Sequence, residues 1–138
     1  MLFHSEGVNF SLPLKRHTKN WLRNTILSES KLPGNINIIF VDDTHLLNIN
    51  KQYLKHNTFT DIITFDYTVK NLISGDIFIS IDRVKDNSTR FNVSFLQELQ
   101  RVIIHGVLHL CGFTDKTDIE KQEMRNKEDN YLSLRPEI

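Results

Sequence analysis

Ser94-Phe95-Leu96-Gln97-Glu98-Leu99-Gln100-Arg101-Val102-Ile103-Ile104-His105-Gly106-Val107-Leu108-His109-Leu110-Cys111, followed by Gly112-Phe113-Thr114-Asp115, is the stretch on which the fold turns. Leu99, Val102, Ile103, Gly106, Val107 and Leu110 recur at helical spacing as one apolar stripe, and Ile104, Leu108 and Cys111 make the opposite side apolar as well. A helix that is apolar nearly all round is buried nearly all round, so this one belongs at the centre of the molecule. His105 and His109 stand on the flank of the stripe. Four residues apart, they share one helix face about one turn apart, and both imidazoles reach a single ion. Gly112 supplies the stop, since glycine takes the left-handed conformation that ends a helix; the chain then swings back and brings Asp115 in as a third ligand. Three protein ligands with a fourth position open to water describe a catalytic metal site, whereas a structural site closes with four.

Either histidine alone is compatible with a hydrogen-bonded core residue. The conjunction of two histidines, the glycine and the carboxylate is not something packing requires, and a facial metal site uses every part of it. Imidazole and carboxylate ligands suit one Zn2+ ion, although nickel, cobalt and manganese accept the same geometry. Cys111 points to another side of the helix and reads as packing. Gly106 occupies the place where the zinc-protease helix His-Glu-x-x-His carries its general base, so a peptidase of that kind lacks its base here. Glycine inside a helix costs about 1 kcal/mol relative to alanine, which points to the close approach of another backbone or of a bulky substrate. Glu98 lies on the same face seven residues before His105, roughly 10 Å along the axis and too far to ligate. It reads as a substrate-side or structural group, the structural role being favoured.

With 138 residues the chain is one domain, long enough to bury roughly two thirds of its unfolded surface. Lysine and arginine number 17, as do aspartate and glutamate, so the formal net charge is zero. No global field favours nucleic acid or a membrane, and an anionic partner must be met by a local patch. The basic run Lys15, Arg16, His17, Lys19 and Arg23 is a candidate, but its plainer reading is a solvated helix face. One cysteine excludes an internal disulfide and fits a reducing compartment, with the cytoplasm as the default. Met1 to Asn9 does not read as a signal peptide, and no apolar run approaches the roughly twenty residues of a membrane span.

Outside the histidine helix, Val8 to Leu12 alternates like a half-buried strand, and residues 14 to 30 carry Trp21, Leu22, Ile26 and Leu27 at helical spacing. Ile36 to Val41 reads as a strand, and Asp42-Asp43-Thr44 as the cap of a helix running to about Lys55. Asp61 to Tyr67 and Ile73 to Ile81 read as two more strands, with Asn71 to Gly75 connecting them. Thr117 to Leu134 is a charged amphipathic segment that covers the core through Ile119, Met124, Tyr131 and Leu134.

The run from His105 to Asp115 resembles the signature His-Gly-x-Leu-His-Leu-x-Gly-Tyr-Asp-His of the YbeY family of bacterial rRNA maturation factors. Thr60-Asp61-Ile62-Ile63-Thr64-Phe65 is similar to that family's Thr-Asp-Val-Leu-Ser-Phe, and Gly75-Asp76-Ile77 to its Gly-Asp-Ile, so the resemblance spans about residues 40 to 130. It implies an α+β fold over residues 1–138: a single hydrolase domain with a mixed sheet of about four strands, packed helices and a central metal-bearing helix. It further implies a zinc-dependent endoribonuclease that cuts single-stranded RNA in ribosomal RNA maturation, with the RNA or a ribosomal particle as partner. The alternatives are an assembly factor that holds zinc without cutting and, disfavoured by Gly106, a metalloprotease. Two places depart from the family pattern. Asp115 stands where the family has its third histidine, adding negative charge that makes a metal-bound water less acidic. Leu54 stands where the family carries an arginine after the residue matching Tyr53, leaving Lys55 and His56 as candidates for the phosphate contact.

Overall fold

Ile36, Ile38 and Phe40 of one strand bury on one face while Ile39 and Val41 bury on the other, as a sheet covered on both sides demands. The computed structural model describes residues 1–56 and 58–136. In chain order its elements are β1 (Leu2–Ser5), α1 (Lys15–Ser28), β2 (Leu32–Val41), α2 (Asp43–Leu54), β3 (Ile62–Asp66), β4 (Leu72–Ser80), α3 (Ile81–Arg90), α4 (Phe95–Leu110) and α5 (Asp118–Leu132). The sheet runs β1-β2-β4-β3, with β1, β2 and β4 parallel and β3 antiparallel to β4, so it is the mixed four-stranded sheet of an α+β domain. Helices α1 and α4 lie on the face built from Ile36, Ile38, Phe40, Ile77 and Ile79, and α2 covers the other through Leu46 and Ile49.

Helix α4 is the centre of this arrangement. Leu99, Ile103, Ile104, Val107 and Leu108 are fully buried, each contributing roughly 1.5–3 kcal/mol by transfer from water. Two glycines let the helix sit close to β4. A Cβ on Gly106 would come within 2.8 Å of Ile62 Cδ1 and 3.0 Å of Ile77 Cγ2; one on Gly75 would meet Phe65 O at 2.5 Å and Leu110 Cδ2 at 2.8 Å. The neighbours of Gly106 are therefore isoleucine side chains of the sheet, neither a backbone nor a substrate. Gly75 lies inside β4 under Leu110 and is not part of the β3–β4 connection, which instead closes where Val69 pairs with Leu72.

Three further expectations change. The first strand is Leu2–Ser5: Gly7 at φ 69° turns the chain away, and Val8 to Leu12 is a loop, with Phe10 edge-on to Phe40 and Phe95. Residues 81–90, to which the pattern assigned no helix, form α3, capped by Ser80 Oγ accepting from Arg83 N. Along α5, Met124, Tyr131 and Leu132 bury against the core, whereas Ile119 and Leu134 are exposed. Trp21 Nε1 donates to Tyr131 O at 2.8 Å and joins α1 to the end of α5. Asp42 caps α2 as expected, its side chain accepting from His45 N at 2.7 Å. Among the described residues no helix is long and apolar enough to cross a membrane.

Candidate metal centre

Helix α4 begins at Ser94 in a capping box with Gln97 and ends where Gly112 turns to φ 107°. There Gly112 N donates to His109 O at 3.0 Å and Phe113 N to Leu108 O at 3.1 Å, the paired bonds of a glycine helix stop. The released chain carries Phe113 to Thr117 back past the helix end. It is held by Thr114 Oγ1 donating to Glu120 Oε2 at 2.5 Å and by Thr117, which caps α5 in a second capping box. Asp115 sits in this fixed loop.

His105, His109 and Asp115 converge. His105 Nε2 lies 2.9 Å from His109 Nε2 and 3.4 Å from Asp115 Oδ2, and His109 Nε2 lies 3.5 Å from that oxygen. Ligand atoms about 2.0–2.1 Å from one tetrahedral ion stand about 3.3 Å apart, so the triangle has the size of a single coordination face. The outward nitrogens are already engaged: His105 Nδ1 with Glu128 Oε2 at 2.6 Å, and His109 Nδ1 with Phe113 O at 2.9 Å. Both partners are acceptors, so each ring keeps its proton on Nδ1 and turns an Nε2 lone pair inward beside a carboxylate oxygen. Three acceptors facing one point repel one another unless a cation lies between them, and the donor set fits a divalent metal.

The surroundings polarise these groups. Burial disfavours the charged form of His105, yet the hydrogen bond and charge of Glu128, with Asp115 and Asp61 beyond, hold the ring above its ordinary value. Burial and the adjacent His105 hold His109 below its own. Glu128 is buried, which alone would raise its pKa; its bonds with His105 and with Arg101 Nη1 at 2.9 Å outweigh this and lower it. The centre opens into a cavity of about 430 Å³ bordered by Asp61, Glu98, His105, Asp115 and Glu128 and by Arg90, Arg101 and Arg125. Arg101 is bound to Glu128 and Asp129, whereas Arg90 is exposed and pairs with no acid among the described residues.

Residues 4–134 match the family described as Endoribonuclease YbeY. This chain belongs to the YbeY family. It is 54% identical over 134 residues to the endoribonuclease YbeY of Flavobacterium johnsoniae, covering 97% of this chain and 96% of that one. Against its counterpart from Bacteroides thetaiotaomicron the identity is 44% over 133 residues, with 96% and 97% covered. A solution structure of a Thermotoga maritima protein aligns with a TM-score of 0.66 at 27% identity, over 96% of this chain and 87% of that one. The match to the YbeY family thus runs well beyond residues 40 to 130, into β1 and α1.

Against the YbeY pattern, the position of Leu54 has no cation: Leu54 and His56 border a separate cavity of about 360 Å³ with Asn50 and Thr58, and Lys55 is exposed at the end of α2. Neither Lys55 nor His56 borders the metal cavity. The cations that do are Arg90, Arg101 and Arg125, on α3, α4 and α5; the carboxylates of Asp61 and Glu128 border it too. These groups come from separate elements, which no local spacing relates; for Glu128 the one signal in the sequence is its place in the buried face of the tail with Met124 and Tyr131. Lys15, Arg16, His17 and Arg23 lie exposed along α1, on the solvated face expected of them. Cys111 is buried and its thiol pushed up to about 11, in keeping with a packing role.

Proposed function

We propose that the protein is a metal-dependent endoribonuclease that cuts single-stranded RNA at the centre formed by His105, His109 and Asp115, with ribosomal RNA maturation as its setting. The observation that carries this reading is the 2.9, 3.4 and 3.5 Å triangle of inward-facing acceptors, open to a cavity rimmed by arginines, in a chain of the YbeY family. Two imidazoles and a carboxylate suit zinc, and His105, His109 and Asp115 would hold it. When bound, zinc supplies Lewis-acid polarisation of a phosphoryl oxygen and lowers the pKa of an attacking water.

The protein's own groups do the rest. Glu128 and the Phe113 carbonyl fix both rings in the tautomer that ligates, and Arg101 anchors Glu128. Arg90 and Arg125, at the cavity rim, take the phosphates either side of the cleaved bond in place of the arginine that Leu54 replaces. A neutral chain then binds RNA through a local patch, and its affinity falls as salt rises. Gly106 argues against a peptidase: the site of that enzyme's glutamate is filled by Ile62 and Ile77. A single buried cysteine with no internal disulfide is in keeping with a cytoplasmic setting.

The test is metal removal. Chelator-treated protein should leave a single-stranded RNA intact and regain cleavage on zinc addition, while a fully paired duplex stays uncut. Equal cleavage with and without metal would overturn the reading. Mapping ribosomal RNA ends in cells carrying only Asp115→Ala checks the setting; normal ends would exclude it.

A further inference from the structure

Glu98 has no task in the metal centre. The residue is 5% exposed, yet among the described residues its carboxylate has no hydrogen-bond or ion-pair partner. No fully enclosed polar side-chain atom among those residues lacks a partner, so the Glu98 oxygens open into the cavities that they border. Those cavities are two. Beside the metal cavity lies another of about 500 Å³, and Phe91, Glu98, Arg101 and Arg125 border both. Phe91 forms one wall of the second. It is 57% exposed, outside the core, and fixed by its N–H donating to Asn87 O at 2.9 Å and by Val93 N donating to Ser88 O at 3.0 Å. The second cavity therefore combines an aromatic shelf, a buried acceptor lacking donors and a rim of arginines, and it shares a wall with the cavity of the metal centre.

We propose that this second cavity is a nucleobase subsite, in which the unpaired base beside the cleaved phosphate stacks on Phe91 and its donor edge meets Glu98. The proposal rests on the endoribonuclease reading and names the base. Two carboxylate oxygens match two parallel donors, and guanine alone offers them, as N1–H and the 2-amino group. Adenine and cytosine set an acceptor beside their amino group, and uracil flanks its N3–H with two carbonyls, so each points lone pairs at the carboxylate. Burial holds the Glu98 carboxyl above its ordinary range, and the charge of Asp61 adds to this, as befits an acceptor whose donors come with a ligand. Stacking on Phe91 adds affinity for any base. A base already paired in a duplex has no free donor edge to present, so the same subsite selects single strands.

The experiment uses short fluorescent single-stranded RNAs that differ only in carrying guanine, adenine, cytosine or uracil at one position. Binding before cleavage sets in and the cleavage rate are both measured on zinc-loaded wild type, Glu98→Gln and Phe91→Ala. Wild type should bind and cut the guanine strand about tenfold better or more. Glu98→Gln should lose that preference, and Phe91→Ala should weaken all four strands about fivefold or more. Phe91 is exposed, so its variant folds and keeps the test decisive should Glu98→Gln prove unstable. Equal binding of the four strands, or a guanine preference that survives Glu98→Gln, would overturn the subsite even if RNA is cut. A guanine preference in binding with no RNA cut would uphold the subsite and overturn the nuclease reading instead.

Discussion

Replacing Glu128 by glutamine keeps the side chain's length and removes its charge, and Glu128 holds two parts of the site at once. Oε2 meets His105 Nδ1 at 2.6 Å and Oε1 meets Arg101 Nη1 at 2.9 Å. A glutamine has one acceptor oxygen, so its amide N–H₂ must face either the His105 N–H or the guanidinium. One charge-assisted bond in a buried setting is worth about 1.5–3 kcal/mol, which sets the expected loss of stability. With a urea dependence of roughly 2 kcal/mol per molar, the unfolding midpoint of the metal-free variant should fall by about 1 M. The second consequence is specific to the metal. Losing the group that orients a ligating histidine lowers metal affinity about 10- to 100-fold, read by competition with a chromophoric chelator. The control is Asp129→Asn: Asp129 binds the same Arg101 but is half exposed, so its loss should cost no more than about 1 kcal/mol and leave metal affinity unchanged. If Glu128→Gln keeps both the wild-type midpoint and the wild-type metal affinity, the argument that Glu128 sets the tautomer of His105 is wrong.

Proton linkage gives a second expectation. His105 titrates above its ordinary 6.5, so in metal-free protein its stabilising bond is complete below that value and lost as pH rises through the folded pKa. Glu128 titrates below its ordinary 4.5, so its contribution is present above that value and lost as pH falls through the folded pKa. Urea unfolding against pH should therefore show the pair contributing most between pH 4.5 and 6.5, a feature absent in Glu128→Gln. Because zinc must displace the His105 proton, chelator competition should show affinity still climbing with pH above 6.5; a plateau reached below that pH would contradict the raised value. Gly106→Glu restores the zinc-protease spacing but drives a side chain into Ile62 and Ile77, so it should destabilise by about 3 kcal/mol or more in urea and produce no cleavage of a peptide library.

What the chain's pattern revealed was the local part. His105, His109 and Gly112 lie within one helix and its stop, where a spacing of four and a terminal glycine have fixed geometric meaning, and Asp115 follows within one short loop. The apolar periodicity of α4 announced its burial for the same reason. Glu128, Arg90 and Arg125 reach the site across gaps that no periodicity encodes; only the packing of α3 and α5 against α4 brings them there. Strand β1 was misplaced because Val8, Phe10 and Leu12 alternate as a strand does, while Gly7 has already turned the backbone away from β2. Helix α3 went unread because Ile81 and Val84 are its only aliphatic residues, too few to mark a face in ten residues that are otherwise polar.

If His105, His109 and Asp115 hold the metal that cuts RNA, Asp115→Ala should remove both metal and cutting without unfolding the protein, because the side chain is partly exposed and lies outside the core. Metal content per chain and cleavage of a structured RNA with single-stranded ends are measured together on wild type and variant. Wild type should carry about one zinc per chain and cut only the single-stranded ends, with both lost in a folded Asp115→Ala. Full metal retention in the variant, or cleavage that persists after the metal is gone, would contradict that assignment.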